Sequence, residues 1–208
     1  MREKPIRLSP ASLKEAVQHL TKRDAGLVKV FDAHGYPPLW ERKPELATLV
    51  HIILEQQVSL ASAQATFDRL KARLGRIEPQ GLLALGDEEL RAMGFSRQKT
   101  GYVRSLAESI QEGRLRLDRL GNLDDDQVRE HLTALKGIGN WTADIYLLMA
   151  LRRPDVWPVG DLALAVAAQQ LYRLPQRPKP AELEALAQPW RPWRSVAARL
   201  LWLFYLET

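Results

Sequence analysis

The chain has no cysteine, which excludes disulfides, thiolate zinc sites, iron–sulfur clusters and cysteine nucleophiles. Its four histidines, His19, His34, His51 and His131, are scattered and form no metal-ligand spacing. Long apolar runs are missing as well: LLWLFYL, from Leu200, falls far short of a membrane span. The opening MREKPIRLSPASLKEAV is charged and lacks the apolar segment of a secretory signal, so a soluble intracellular protein is expected. Strand-type alternation, internal repeats and low-complexity tracts are absent. What is present is a chain of 208 residues, 46% hydrophobic, with a net charge of +5. That length suits one domain or two small lobes, and the basic balance favours a polyanionic partner without specifying which.

Helical periodicity recurs along the chain. Pro44 opens a helix with Leu46, Leu49, Val50, Ile53 and Leu54 on one face, ending near EQQVS. Ser59 caps the next helix, which runs to Gly75. Asp87 caps a short one stopped by Gly94, and Ser96 caps another closed by Gly113. DDDQ at Asp124 has capping-box form, and Asp161 starts a helix downstream. The proline-rich RLPQRPKPAEL from Arg173 reads as a connector, and a last helix follows Pro192. The expected fold class is all-α.

LKGIGNWTAD, Leu135 to Asp144, stands out between two periodic segments. Glycine inside a helix costs roughly 1 kcal/mol against alanine, so a pair bracketing Ile138 marks a turn of special geometry or a backbone that is closely approached. In such a helical hairpin the amides at Gly137 and Gly139, with the first amides of the following helix at Thr142, can converge on a phosphate oxygen, while Lys136 adds charge and Ile138 anchors the turn inward. A plain glycine-turned αα-hairpin has the same spacing.

LKGIGNWTAD resembles the helix-hairpin-helix of the DNA glycosylase superfamily that carries a downstream catalytic aspartate, and most of all its alkylbase branch, the 3-methyladenine DNA glycosylase II type. ILEQQVSLASA (53–63), MGFSRQKTGYVRSLA (93–107), WPVGDLAL (157–164) and WRPWRSVAARLLW (190–202) resemble that branch's other blocks, in order. Two departures are visible. Lys136 stands where many members have proline, and only a short segment precedes the first block, so the chain looks like the compact helical form without an N-terminal β-rich domain.

The resemblance implies two helical lobes flanking a DNA-binding and active-site cleft. One lobe covers 45–153 and ends in the hairpin; the other joins 1–44 to 154–208 and carries the aspartate. It implies a monomer acting in the cytoplasm or nucleoid on double-stranded DNA containing an alkylated base such as 3-methyladenine or 7-methylguanine.

By position, Asp161 is then the catalytic carboxylate, although local sequence alone would make it an ordinary N-cap. Asp144 is expected on a helix surface, and Glu55 is a weaker alternative acid. Trp141 and Trp202 match aromatic base-pocket positions, with Tyr146 nearby but offset; indole faces attract cationic bases, and core packing is the competing role for both tryptophans. Gln57 is the expected wedge that enters the duplex. Gln56, a second wedge candidate, and Ser59 would serve equally well as helix-ending residues. Arg97 and Lys99 either approach phosphates or are exposed solubilising charge. The resemblance also carries over a structural Na+ or K+ at the hairpin, held by the backbone carbonyls of Thr133, Leu135 and Ile138, with no cofactor needed for catalysis. Lyase members place a nucleophilic lysine where this chain has Trp141, so base removal without strand cleavage is expected. Two other readings stay open from sequence: a glycosylase for a neutral deaminated or mismatched base, and a non-catalytic hairpin module that only grips DNA.

Overall fold

The computed structural model describes residues 5–208 and is helical throughout, with no strand among the described residues. The first four residues of the charged opening segment lie outside the described part. The chain divides into two compact units, Met1–Glu41 with Leu147–Thr208, and Arg42–Tyr146. The break falls inside α10 (Asn140–Met149), the helix that follows the hairpin.

The continuous unit is built around α3 (Leu46–Glu55). Seven of its ten residues are buried, leaving it apolar nearly all round, as a central helix must be. It starts after Glu45 rather than at Pro44. Around it stand α4 (Leu60–Leu74), capped by Ser59, and α7 (Arg97–Gln111), capped by Ser96. The short helices α5 (Pro79–Ala84), α6 (Asp87–Ala92) and α8 (Leu117–Leu120) close that side. The N-cap of α6 is Gly86, one residue before the expected Asp87, because Glu89 reaches back to the Gly86 amide at 2.9 Å. Next comes α9 (Asp125–Thr133), capped by Asp124 and reinforced by Gln127, which leads into the hairpin.

The other unit joins α1 (Pro10–Thr21) and α2 (Ala25–His34) to α11 (Leu162–Tyr172), α12 (Pro180–Ala187) and α13 (Arg194–Glu207). Asp24 ties its parts together. Oδ1 of its carboxylate caps α2 through the Gly26 and Leu27 amides, while the Tyr172 hydroxyl (3.0 Å) and the Trp190 indole N–H (2.8 Å) also donate to it. The expected connector from Arg173 is helical in its last part. Pro180 occupies the first turn of α12, where its missing N–H costs nothing, and Glu182 accepts from the Lys179 amide.

Candidate DNA-contacting hairpin and active-site carboxylate

In the continuous unit the glycine turn and the QQVS loop form one hydrogen-bonded assembly. The side-chain amide of Gln56 donates to the Gly137 carbonyl at 3.0 Å and to the Thr142 hydroxyl at 2.9 Å. That corrects its assignment as a wedge: the Gln56 side chain is turned into the protein, and Gln56 is also the C-cap of α3. Thr142 is buried with its hydroxyl on Gln56, so its side chain is not presented to a phosphate. Gln57, next in sequence, is exposed and holds φ of +56°, the left-handed region that non-glycine residues rarely adopt. This turns its side chain away from Gln56.

Lys99 is corrected in the same way. Its ammonium donates to the carbonyls of Leu54 (2.6 Å) and Gln56 (2.8 Å) at the C-terminal end of α3, where a cation also complements the helix dipole. Burial lowers its pKa. Three residues on, along the same face of α7, the Tyr102 ring lies against Gly137: a Cβ there would sit 2.1 Å from the ring. With φ of +84°, Gly137 is required both by its conformation and by Tyr102. Gly139 differs, since a Cβ there would meet nothing within 4 Å. The hairpin therefore shows Lys136 and Gly139 to solvent and buries Ile138 as its anchor. Arg97 is exposed at the start of α7, and Trp141 is half-buried in the first turn of α10.

The two alternative acids are both engaged. Asp144 is not on the surface: it is 3% exposed and accepts from Arg129 at 2.7 Å, an ion pair that joins the two helices of the hairpin. Glu55 accepts two hydrogen bonds from Arg42, at 2.6 and 3.1 Å. Tyr146 is wholly buried. Burial, then the nearby Glu45 charge, raises its phenol pKa well above the ordinary range.

In the discontinuous unit, Asp161 is buried at the N-cap of α11. Its Oδ1 accepts from the Leu164 amide at 2.9 Å and from the Trp202 indole N–H at 3.3 Å. The N-cap role and the family position thus fall on the same side chain. Two exposed apolar residues, Val159 and Leu162, flank it in sequence. Trp202, on α13, is met edge-on by Trp40, with ring centroids 6.3 Å apart. Sequence reading passed over Trp40 and Arg129, and placed Tyr102 only on the face of its helix with Val103 and Leu106. The only signal for Trp40 was a lone tryptophan in the proline-flanked PPLWERKP.

Residues 50–192 match the HhH-GPD superfamily of base excision DNA repair proteins. DNA-3-methyladenine glycosylase 1 of Schizosaccharomyces pombe is 30% identical over 198 residues, which is 92% of this chain and 87% of that protein. A structure of the S. pombe 3-methyladenine DNA glycosylase Mag1 in complex with abasic DNA superposes with a TM-score of 0.85 at 28% identity, covering 90% of this chain and 95% of that one. A DNA-3-methyladenine glycosidase from Bacillus halodurans gives a TM-score of 0.75 at 33% identity, covering 93% of this chain and 88% of that one. The chain belongs to the HhH-GPD superfamily of base excision DNA repair proteins.

Proposed function

We propose that this protein is a monofunctional DNA glycosylase that flips alkylated purines out of duplex DNA and hydrolyses their N-glycosidic bond, leaving the strand intact. The observation that carries the reading is the Asp161 carboxylate, buried at the N-cap of α11 and oriented through Oδ1 by Leu164 and Trp202.

A purine alkylated at N3 or N7 is formally cationic and departs as a neutral base with the electron pair of its bond to C1′. The positive charge left on the sugar is stabilised by a carboxylate, as in glycoside hydrolysis. Water then adds its hydroxyl to C1′ and releases a proton to solvent. The target base must first leave the stack. Exposed Gln57, in its left-handed conformation beside the anchored end of α3, fills the vacated space. Lys136 and the backbone around Gly139 grip phosphate without reading sequence. Trp141 and Trp202 are the tryptophans carried over by resemblance as base contacts, and an indole face attracts a cationic base by about 0.5–2 kcal/mol. In this reading the protein works as a single chain on chromosomal DNA.

A monovalent ion at the hairpin would be held by the carbonyls of Thr133, Leu135 and Ile138. The Leu135 carbonyl already accepts from the Ile138 amide at 3.2 Å, and a second lone pair remains, so the neutral oxygen donors suit such an ion. Bound there, it would stiffen the turn and supply no catalytic chemistry.

The test is release of 3-methyladenine and 7-methylguanine from methylated duplex DNA, followed by chromatography of the free bases. Release of both, with abasic sites left behind, is the expected outcome. Tight duplex binding with no base released would leave only a DNA-gripping module.

A further inference from the structure

Arg199 is the most deeply buried cation among the described residues. It is wholly inaccessible, and its guanidinium donates only to backbone carbonyls: Nη1 to Ser195 (3.0 Å), Nη2 to Leu148 (2.8 Å) and Nε to Leu39 (3.0 Å). Among the described residues no carboxylate pairs with it. Burial pulls its pKa down to about 9, so it remains charged at neutral pH. A buried cation without a counter-ion is costly, and an apolar residue of similar volume is the cheaper way to fill such a space.

What Arg199 does there is visible in what it holds. The Leu39 carbonyl leads directly into Trp40, whose φ of +44° is a genuine outlier for a bulky side chain and persists only where the surroundings enforce it. The Trp40 ring stands edge-on to Trp202, at an interplanar angle of 70°. Trp202 lies three residues beyond Arg199 on α13, hence on the same helix face. Its indole N–H donates to Asp161 Oδ1. One turn of α13 therefore carries both a clamp on the Leu39–Trp40 segment and the indole that orients the carboxylate.

We propose that Arg199 is a positioning residue for base excision: by clamping the Leu39 carbonyl it holds Trp40 in its strained conformation against Trp202, and so keeps the Trp202 N–H on Asp161. The inference rests on the Asp161 reading above. Arg199 touches neither base nor sugar, and acts through two tryptophans on the orientation of one carboxylate.

The experiment compares Arg199→Met, Trp40→Gly and Trp40→Phe with the unaltered protein in single-turnover excision of 7-methylguanine at saturating enzyme, alongside affinity for abasic duplex and thermal stability. Trp40→Gly removes the ring and relaxes the backbone, so it stays folded even if Arg199→Met does not. Misplacing a catalytic group by a fraction of its productive geometry costs on the order of 10- to 100-fold in rate, and that is the loss expected for Arg199→Met and Trp40→Gly, with duplex affinity unchanged. Trp40→Phe, which keeps a ring edge against Trp202, should recover part of the rate. In the background of Asp161→Asn neither substitution should cost anything further, since both act through that carboxylate. Trp40→Gly with full single-turnover rate, or loss of rate matched by loss of duplex binding, overturns the proposal. If Asp161→Asn is itself fully active, the catalytic assignment fails instead, and the two failures are distinguishable.

Discussion

Trp202 donates its indole N–H to Asp161 across 41 residues of sequence, at 3.3 Å and onto the same oxygen that caps α11. A tryptophan expected to offer its face to a base or to pack in the core thus also donates to the carboxylate. The two roles separate by mutation. Trp202→Phe keeps an aromatic face and loses the donor, and a net hydrogen bond of about 0.5–1.5 kcal/mol predicts a roughly 2- to 12-fold loss of excision rate, equal for cationic and neutral lesions. Trp141→Ala should instead reduce excision of cationic bases by about 2- to 30-fold and spare neutral ones, in line with a cation–π contribution. Parallel single-turnover rates on 7-methylguanine and hypoxanthine substrates check both; equal losses for Trp141→Ala would return that residue to a packing role.

Asp161→Asn leaves the fold intact, because asparagine caps a helix about as well as aspartate. Losing the charge that faces the developing cation should slow base release by on the order of 10²–10³-fold. Affinity for abasic duplex and the melting temperature are expected to stay near those of the unaltered protein. Near-normal turnover in the folded variant would remove Asp161 from the mechanism.

The two hairpin glycines should respond differently. Gly137→Ala forces a Cβ into the Tyr102 ring at a left-handed backbone position, so destabilisation of about 1–3 kcal/mol or more is expected in denaturant melts. Gly139→Ala meets no neighbour and should melt normally, yet a methyl beside the phosphate path should weaken binding to every duplex alike. Lesion-selective loss in Gly139→Ala would contradict a phosphate contact.

His51 makes stability depend on pH. Its half-buried ring stacks on Phe67, 4.3 Å between centroids, with Nε2 3.6 Å from Glu55. Burial is the main cause of a pKa below the usual 6.5; Arg42 adds to the lowering, while Glu55 and Asp68 oppose it. The unfolded chain therefore binds this proton first as pH falls. Well above 6.5 both states are neutral at His51 and it contributes no slope; as pH falls through 6.5 toward the folded pKa, stability should decline. Denaturant midpoints measured from about pH 8 to 5 should show that decline, and His51→Gln should flatten it.

Incubating lesion DNA with the protein should leave an alkali-labile but unbroken strand, because Trp141 offers no amine where a Schiff base would form. Denaturing gels with and without alkali, and borohydride trapping, report on this directly. A covalent adduct in stoichiometric yield would mean that another amine attacks the sugar.

Sequence by itself determined the helices and the hairpin. Apolar spacing, Ser59, Ser96 and Asp124 as caps, and the glycine turn are all local, with each residue acting on backbone within a few positions of itself. The family blocks placed Asp161 and the tryptophans in order along the chain. Errors arose where a side chain had two possible destinations. Asp144 and Lys99 read as surface charges, and became a buried partner of Arg129 and a clasp on the end of α3. Gln56 and Gln57 are neighbours of one residue type, yet one side chain is turned onto the hairpin and the other lies exposed, because a single left-handed φ separates them. The line from Arg199 through Leu39 and Trp40 to Trp202 and Asp161 draws on three distant segments. A charge or ring has no partner until folding brings one within about 3 Å, and that proximity is decided by the packing of whole helices.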